Sequence, residues 1–206
     1  MSKLDFKKEW PYLYNPSRHD FVTVEVPPLA YLMVDGHGDP NHAPAYQEAV
    51  EALYAVAYKL KFMSKNELGR DYAVMPLQGL WWAEDMDHYT VKRDKSAWDW
   101  TMMILTPEWI TPEMVTQAKA AAGEKKNLPA LSKLRLETLE EGLVAQIMHI
   151  GSYDEEAPTL ARLHREWIPQ HGFVENGKHH EIYLGDPRKV APEKLKTILR
   201  QPIRPI

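Results

Sequence analysis

Apolar and polar residues alternate from Phe21 to Val26 (Phe21, Val22, Thr23, Val24, Glu25, Val26), which predicts a half-buried strand stopped by Pro27-Pro28. Leu29 to Val34 predicts a second strand, closed by the turn-rich run Asp35-Gly36-His37-Gly38-Asp39-Pro40. From about Pro44 to Met63 the period changes. Tyr46, Val50, Leu53, Tyr54, Ala57, Tyr58 and Leu60 recur at helical spacing, so a long amphipathic helix is expected. Tyr72 to Trp82 and Ala97 to Leu105 read as two strands of a hairpin, joined by a charged, solvated link from Glu84 to Ser96. Thr111-Pro112-Glu113 opens a second helix with Pro in its first turn, ended by Gly123 to Asn127. Leu134 to Glu140 and Leu143 to Ile150 predict strands, and Glu155 to Gln170 a helix closed by His171-Gly172. His179 to Leu184 predicts a short strand, and Pro192 to Leu199 a final helix. Residues 1–20, with Pro11 and Pro16, predict an arm packed through Trp10, Tyr12 and Tyr14.

The order of elements repeats. Met33-Val34-Asp35-Gly36 and Met148-His149-Ile150-Gly151 each end a strand in Gly. Pro107-Glu108-Trp109-Ile110-Thr111-Pro112-Glu113 and Pro187-Arg188-Lys189-Val190-Ala191-Pro192-Glu193 share Pro-x-x-aliphatic-x-Pro-Glu. Two halves, about 21–127 and 128–206, each read strand, helix, strands, helix, the first with the longer helix and hairpin. The expected fold is a single α+β domain over 1–206. Its two units would pair antiparallel sheets about a pseudo-twofold and leave a concave cleft between them.

Composition narrows the function. The chain has 206 residues, 44% hydrophobic, enough to bury a core and exclude wholesale disorder. Having no Cys, it has no disulfide, thiolate nucleophile or Cys-ligated metal. Apolar runs are far shorter than the roughly 20 residues that span a bilayer, and the charged N-terminus lacks an apolar signal core. A cytoplasmic protein with no membrane partner is expected. The net charge of −4 disfavours direct nucleic-acid binding through phosphates.

The segment His179-His180-Glu181-Ile182-Tyr183-Leu184 carries the richest chemistry. Strand alternation puts His179, Glu181 and Tyr183 on one face. A carboxylate beside an aromatic in mid-strand is unusual, because a buried charge costs several kcal/mol unless paired. If that face lines a cleft, Glu181 is a desolvated carboxylate with a raised pKa, able to act as a base or as counter-charge to a cationic ligand. A solvated edge-strand face, with Glu181 in a salt bridge, fits the same pattern. The second signal is aromatic. Trp81-Trp82 ends one strand, Trp98, Trp100 and Met102 follow at period 2, and Tyr54 and Tyr58 lie one helical turn apart. Rings around a cleft suit planar or cationic organic molecules, though each also fits an ordinary core. Two adjacent Trp cannot both enter one core from a strand, so one needs another environment. His179-His180 with His164, His149 or His171 shows no metal-ligand spacing, so no metal or cofactor is expected.

The blocks Gly151-Ser152-Tyr153, Trp167-Ile168, Gly177-Lys178-His179-His180-Glu181-Ile182-Tyr183-Leu184 and Asp186-Pro187-Arg188-Lys189 resemble the GyrI-like small-molecule-binding family. Tyr14-Asn15-Pro16, Gly36-His37-Gly38-Asp39-Pro40-Asn41 and Pro76-Leu77-Gln78-Gly79-Leu80-Trp81-Trp82 are similar to its stand-alone branch, which contains cyclopropanoid cyclopropyl hydrolases. The resemblance implies two strand–helix–strand–strand units and a central Glu opposing cationic, aromatic ligands. It implies that Glu181 activates water, with Tyr183, Tyr153, Tyr58, Trp81 and Trp82 holding the substrate or donating to its developing oxyanion. Together with Tyr54, Trp100 and His179, these form the candidate site. A small-molecule ligand is the expected partner, and a homodimer is compatible with the reading. Sequestration or sensing without turnover, and interaction with gyrase as the family name suggests, are the alternatives. Residues 1–20 are too short and too Pro-rich for a helix-turn-helix, so a transcription-factor role is not expected unless a partner chain supplies DNA binding.

Overall fold

The computed structural model describes residues 3–84 and 94–206. The expected solvated link between Glu84 and Ser96 lies mostly outside them, at 85–93. Among the described residues, nine strands form one antiparallel sheet: β1 (Val22–Val26), β2 (Leu29–His37), β3 (Gln78–Trp82), β4 (Asp99–Leu105), β5 (Arg135–Leu139), β6 (Gly142–Ile150), β7 (Phe173–Glu175), β8 (His179–Tyr183) and β9 (Lys196–Pro205). Their order is β1-β6-β9-β8-β3-β4-β2-β5, with β7 also on β9. This order is symmetric about the β8–β3 pair. One unit is β2, the helix α3 (Pro44–Glu67), β3 and β4; the other is β6, the helical run 157–170, β8 and β9. The strand preceding each unit crosses to the other: β1 pairs with β6, and β5 with β2. Each unit is thereby closed by its partner's strand, which ties the two together.

The sheet is buried on both sides. Over one face lie α3, the helix α4 (Pro112–Gly123) and the helical run, packed on Leu32, Val34, Trp81, Trp100, Met102, Ile104, Ile147 and Leu199. Pro44 and Pro112 take the first turns of α3 and α4, where a missing N–H removes no helical bond. Thr111 caps α4 by accepting from the Met114 amide. The N-terminal arm, with the short helices α1 (Phe6–Glu9) and α2 (Pro11–Tyr14), covers the other face through Phe6, Leu13 and Tyr14. Trp10 packs there as well, whereas Tyr12 is half exposed.

Several boundaries differ from the pattern. β2 runs three residues past Val34, through Gly36 to His37, because a side chain on β4 fills the glycine gap. The Trp100 indole lies so close over Gly36 that a Cβ there would meet the ring at 2.0 Å. β3 is shorter than expected, starting at Gln78. The helical run is broken into a 3-10 turn (Tyr153–Glu156), α5 (Ala157–Arg162), a π turn (Leu163–Trp167) and α6 (Ile168–Gln170). The expected final helix from Pro192 is wrong beyond its first turn. A 3-10 turn (Pro192–Lys194) gives way to β9, which lies between β6 and β8. The second repeat anchor fails for the same reason. Tyr183 ends β8, whereas the position in the second unit equivalent to β4 is β9. Among the described residues, no helix is long and apolar enough to cross a membrane.

Candidate functional site at the centre of the sheet

Alternation along β8 sends Glu181 and Tyr183 to the helix face and His180 and Ile182 to the arm face. β3 pairs Gly79 with Glu181 and Trp81 with His179. The Trp81 indole folds back over Gly79, where a Cβ would stand 2.7 Å from Nε1. That position brings Trp81 Nε1–H to the Tyr183 hydroxyl, to which it donates at 2.8 Å. Tyr183 in turn donates to Glu181 Oε2 at 2.7 Å. The result is an oriented chain, indole to phenol to carboxylate, on the two strands that flank the symmetry centre. Glu181 is 7% exposed, so a charge there is shielded from bulk water. His179 Nε2 lies 3.8 Å from Glu181 Oε1, too far for a hydrogen bond. Burial, with His164 and His180 nearby, holds the His179 imidazole well below its usual pKa, so this approach joins a carboxylate to a neutral ring.

Rings wall the site. From α3, Tyr46 stacks near Trp81 at 6.3 Å and meets Trp100 edge-on at 5.4 Å. Trp98 packs edge-on against Trp81 at 5.6 Å, and Tyr153, from the turn before α5, against Tyr183 at 5.6 Å. Burial, then the negative charges of Glu156 and Glu181, push the Tyr153 hydroxyl up to about 12. Burial, then Tyr153 and Glu181, push Tyr46 higher still. Both phenols therefore stay protonated near neutral pH.

The structure brings together Glu181, Tyr183, Trp81, His179 and Tyr153. Tyr54 is half-buried on α3, near Leu77 and Asp186, and stacks at 6.4 Å on Tyr58, which is half exposed at the outer end. Trp100 is fully buried beneath Tyr46. Trp82 turns to the opposite face, where Lys178 Nζ sits 3.3 Å from its ring centre; alternation along β3 forbids it from joining Trp81. Trp98 belongs to the period-2 aromatic run, whereas Tyr46 and the buried Glu156 were not singled out from sequence as site residues. Tyr46 could have been, since it lies eight residues before Tyr54 on the same helical stripe. Glu156, one of three consecutive acids, carried no distinguishing signal. Two open depressions lie elsewhere, of about 310 Å³ between α3 and α4 and about 540 Å³ between Tyr12 and the Pro27-Pro28 turn. Among the described residues, no group of three His, Asp or Glu is placed to hold a metal ion.

The arm face carries a second buried carboxylate that the sequence reading missed. Glu141 Oε1 meets His180 Nδ1 at 2.8 Å, and Glu141 Oε2 accepts from Arg200 at 3.2 Å. Arg200 also donates to Gln146 Oε1 and the Leu13 carbonyl, and Gln146 to the Tyr12 carbonyl, so the cluster fastens the arm. Burial raises the Glu141 pKa, but the charge His180 carries once protonated, the Arg200 charge and the hydrogen bonds from both outweigh it and lower the carboxyl to about 2. Burial also lowers the His180 pKa, so Arg200 is the standing counter-charge and neutral His180 a hydrogen-bond donor. Its other nitrogen lies 2.9 Å from the Gln78 side-chain amide. The amide atom placed there is Oε1; with Nδ1–H given to Glu141, turning the Gln78 amide end for end would present its NH2 to His180 Nε2 and pair the otherwise unpaired Gln78 nitrogen.

Residues 19–204 match the GyrI-like small molecule binding domain. The crystal structure of an uncharacterized conserved protein from Listeria innocua superposes with a TM-score of 0.89 at 41% identity, covering 98% of this chain and 100% of that one. A hydrolase encoded by lin2189 of the same organism gives 0.87 at 41% identity with the same coverage. The EcmrR C-terminal domain gives 0.59 at 10% identity over 91% of this chain and 98% of that one, a likeness of fold alone. No curated protein matches the chain in sequence. By the span of that domain match and by full-length likeness to the Listeria proteins, the chain belongs to the GyrI-like small-molecule-binding family.

Proposed function

We propose that the Glu181 site binds planar, hydrophobic or cationic small molecules and hydrolyses cyclopropane-bearing alkylating compounds, a detoxifying reaction. The observation that carries this reading is the buried carboxylate of Glu181, oriented by Tyr183, which Trp81 orients in turn, at a ring-walled centre. Likeness at 41% identity to a hydrolase favours turnover over binding alone.

The rings suit a flat substrate through stacking and edge contacts, and their faces attract cationic groups. Glu181 supplies the counter-charge or the base. In ring opening, a water at the carboxylate loses a proton to Glu181 as its oxygen bonds a cyclopropane carbon. One ring C–C bond breaks, and its electron pair moves through the conjugated system to a carbonyl oxygen. Tyr153 and Tyr46, kept protonated by burial, serve as donors to that oxyanion. The sum is addition of one water. The Tyr183 hydrogen bond fixes the carboxylate rotamer, so the base need not reorganise during the step.

Incubation of the protein with a cyclopropylcyclohexadienone alkylator in ¹⁸O-water, followed by mass spectrometry, tests the reading. Catalytic formation of ring-opened product carrying one solvent oxygen supports hydrolysis. One-for-one protection without product would replace it with sequestration.

A further inference from the structure

A buried base that takes a proton from water must release it before the next cycle. The oxyanion forms at the far end of a conjugated substrate, so the proton held by Glu181 is not delivered there directly. The helix face offers an exit. His164 stands on the π turn of the helical run, an irregularity that places its nearly buried ring against His179, with ring centres 5.6 Å apart. π turns of this kind are frequent at functional sites. His164 Nδ1 meets Glu175 Oε1 at 2.7 Å, and Glu175, on β7, reaches solvent. His164 Nε2 is buried and makes no hydrogen bond among the described residues. On the other side, His179 Nε2 approaches Glu181 Oε1. The order is therefore carboxylate, imidazole, imidazole, carboxylate, running from the centre of the sheet to its surface.

We propose that His179, His164 and Glu175 form the proton path between Glu181 and solvent. The inference rests on Glu181 acting as a base. A proton on Glu181 crosses the 3.8 Å gap to His179 Nε2, as the side chains close or through one bridging water, while His179 releases one from Nδ1. His164 accepts at Nε2 and releases its Nδ1 proton to Glu175. Each imidazole ends neutral in its other tautomer, and a return flip resets it. No oxidant or co-reactant is needed. His179, kept neutral by burial, suits this role because it accepts and donates without holding a charge. Gln201, whose side chain contacts His179 and is anchored on the Gly177 carbonyl, positions that ring.

Two measurements on the full chain decide it. In rapid-mixing assays with the cyclopropane probe, Glu175→Gln and His164→Gln should complete a first turnover at the wild-type rate. Later turnovers should be at least about tenfold slower, and added imidazole buffer should restore them. Equal loss in both phases, or no loss in either, overturns the path. The second measurement needs no turnover. In ¹⁵N spectra of the histidine rings, Glu181→Gln should shift the resonances of both His179 and His164. A His164 signal unchanged by Glu181→Gln overturns the path, whereas absence of product from wild type overturns only the hydrolase reading.

Discussion

Adjacent residues of β8 serve opposite faces of one sheet. On the arm face, His180 belongs to a cluster in which both oxygens of Glu141 are engaged, one by an imidazole and one by a guanidinium. On the helix face, Glu181 takes the hydroxyl of Tyr183, which is itself fixed by Trp81. The first arrangement neutralises a carboxylate with a permanent charge and ties down a chain segment. The second orients a carboxylate with neutral donors among half-buried rings. Burial alone therefore does not mark a functional acid; the character of its partners does.

The contrast can be broken from the arm side first. Arg200→Met should leave Glu141 buried beside neutral groups and cost about 3–5 kcal/mol, read as a lower midpoint in urea unfolding. Glu181→Gln should move the same midpoint by less than about 1 kcal/mol. If the two variants lose equal stability, the carboxylates do not differ as described. Next in size, Gly36→Ala forces a methyl into Trp100 and should destabilise by about 1–3 kcal/mol in thermal unfolding. Gly79→Ala collides with Trp81 and should weaken binding of a cationic aromatic dye while leaving the arm contacts unchanged.

Acid sharpens the comparison. His179 and His180 have folded pKa values below the ordinary 6.5, so their contribution is present above that value and declines as pH falls below it. Glu141, lowered from 4.5 to about 2, adds a second loss as pH falls through that window. Stability measured against pH should thus decline from about pH 6.5 and more steeply below about 4.5. A curve flat down to pH 4 would contradict neutral burial of the two imidazoles. A smaller effect than that of Arg200→Met is expected for Tyr183→Phe. It removes one hydrogen bond to Glu181 and should cost about 1 kcal/mol of stability, with roughly tenfold slower ring opening.

The helix face was largely legible in the sequence because two simple periods govern it. Alternation in 179–184 places Glu181 with Tyr183, and helical spacing places Tyr54 with Tyr58. The same alternation separates Trp81 from Trp82, a consequence that a general count of aromatics hides. β9 was illegible for a physical reason. As an inner strand it buries both faces, so Thr197 and Gln201 point one way and Arg200 the other, all buried. Polar residues at positions 197, 200 and 201 mimic the polar side of a helix, and Pro202 argues against an inner strand. The partners of Arg200 come from Glu141, Gln146 and Leu13, and Gln201 donates to the Gly177 carbonyl, all distant in sequence, so no local pattern announces them. Nor does any local pattern announce the exchange of β1 and β5 between the two units.

The central claim is that Glu181 acts as a base on bound substrate rather than only holding the site together. Turnover of a cyclopropane alkylator by wild type and Glu181→Gln, measured beside ligand affinity by Trp fluorescence, tests it most directly. The account predicts that Glu181→Gln binds a neutral planar ligand within about threefold of wild type and opens the ring at least about 100-fold more slowly. Equal ring-opening rates in the two proteins would contradict it.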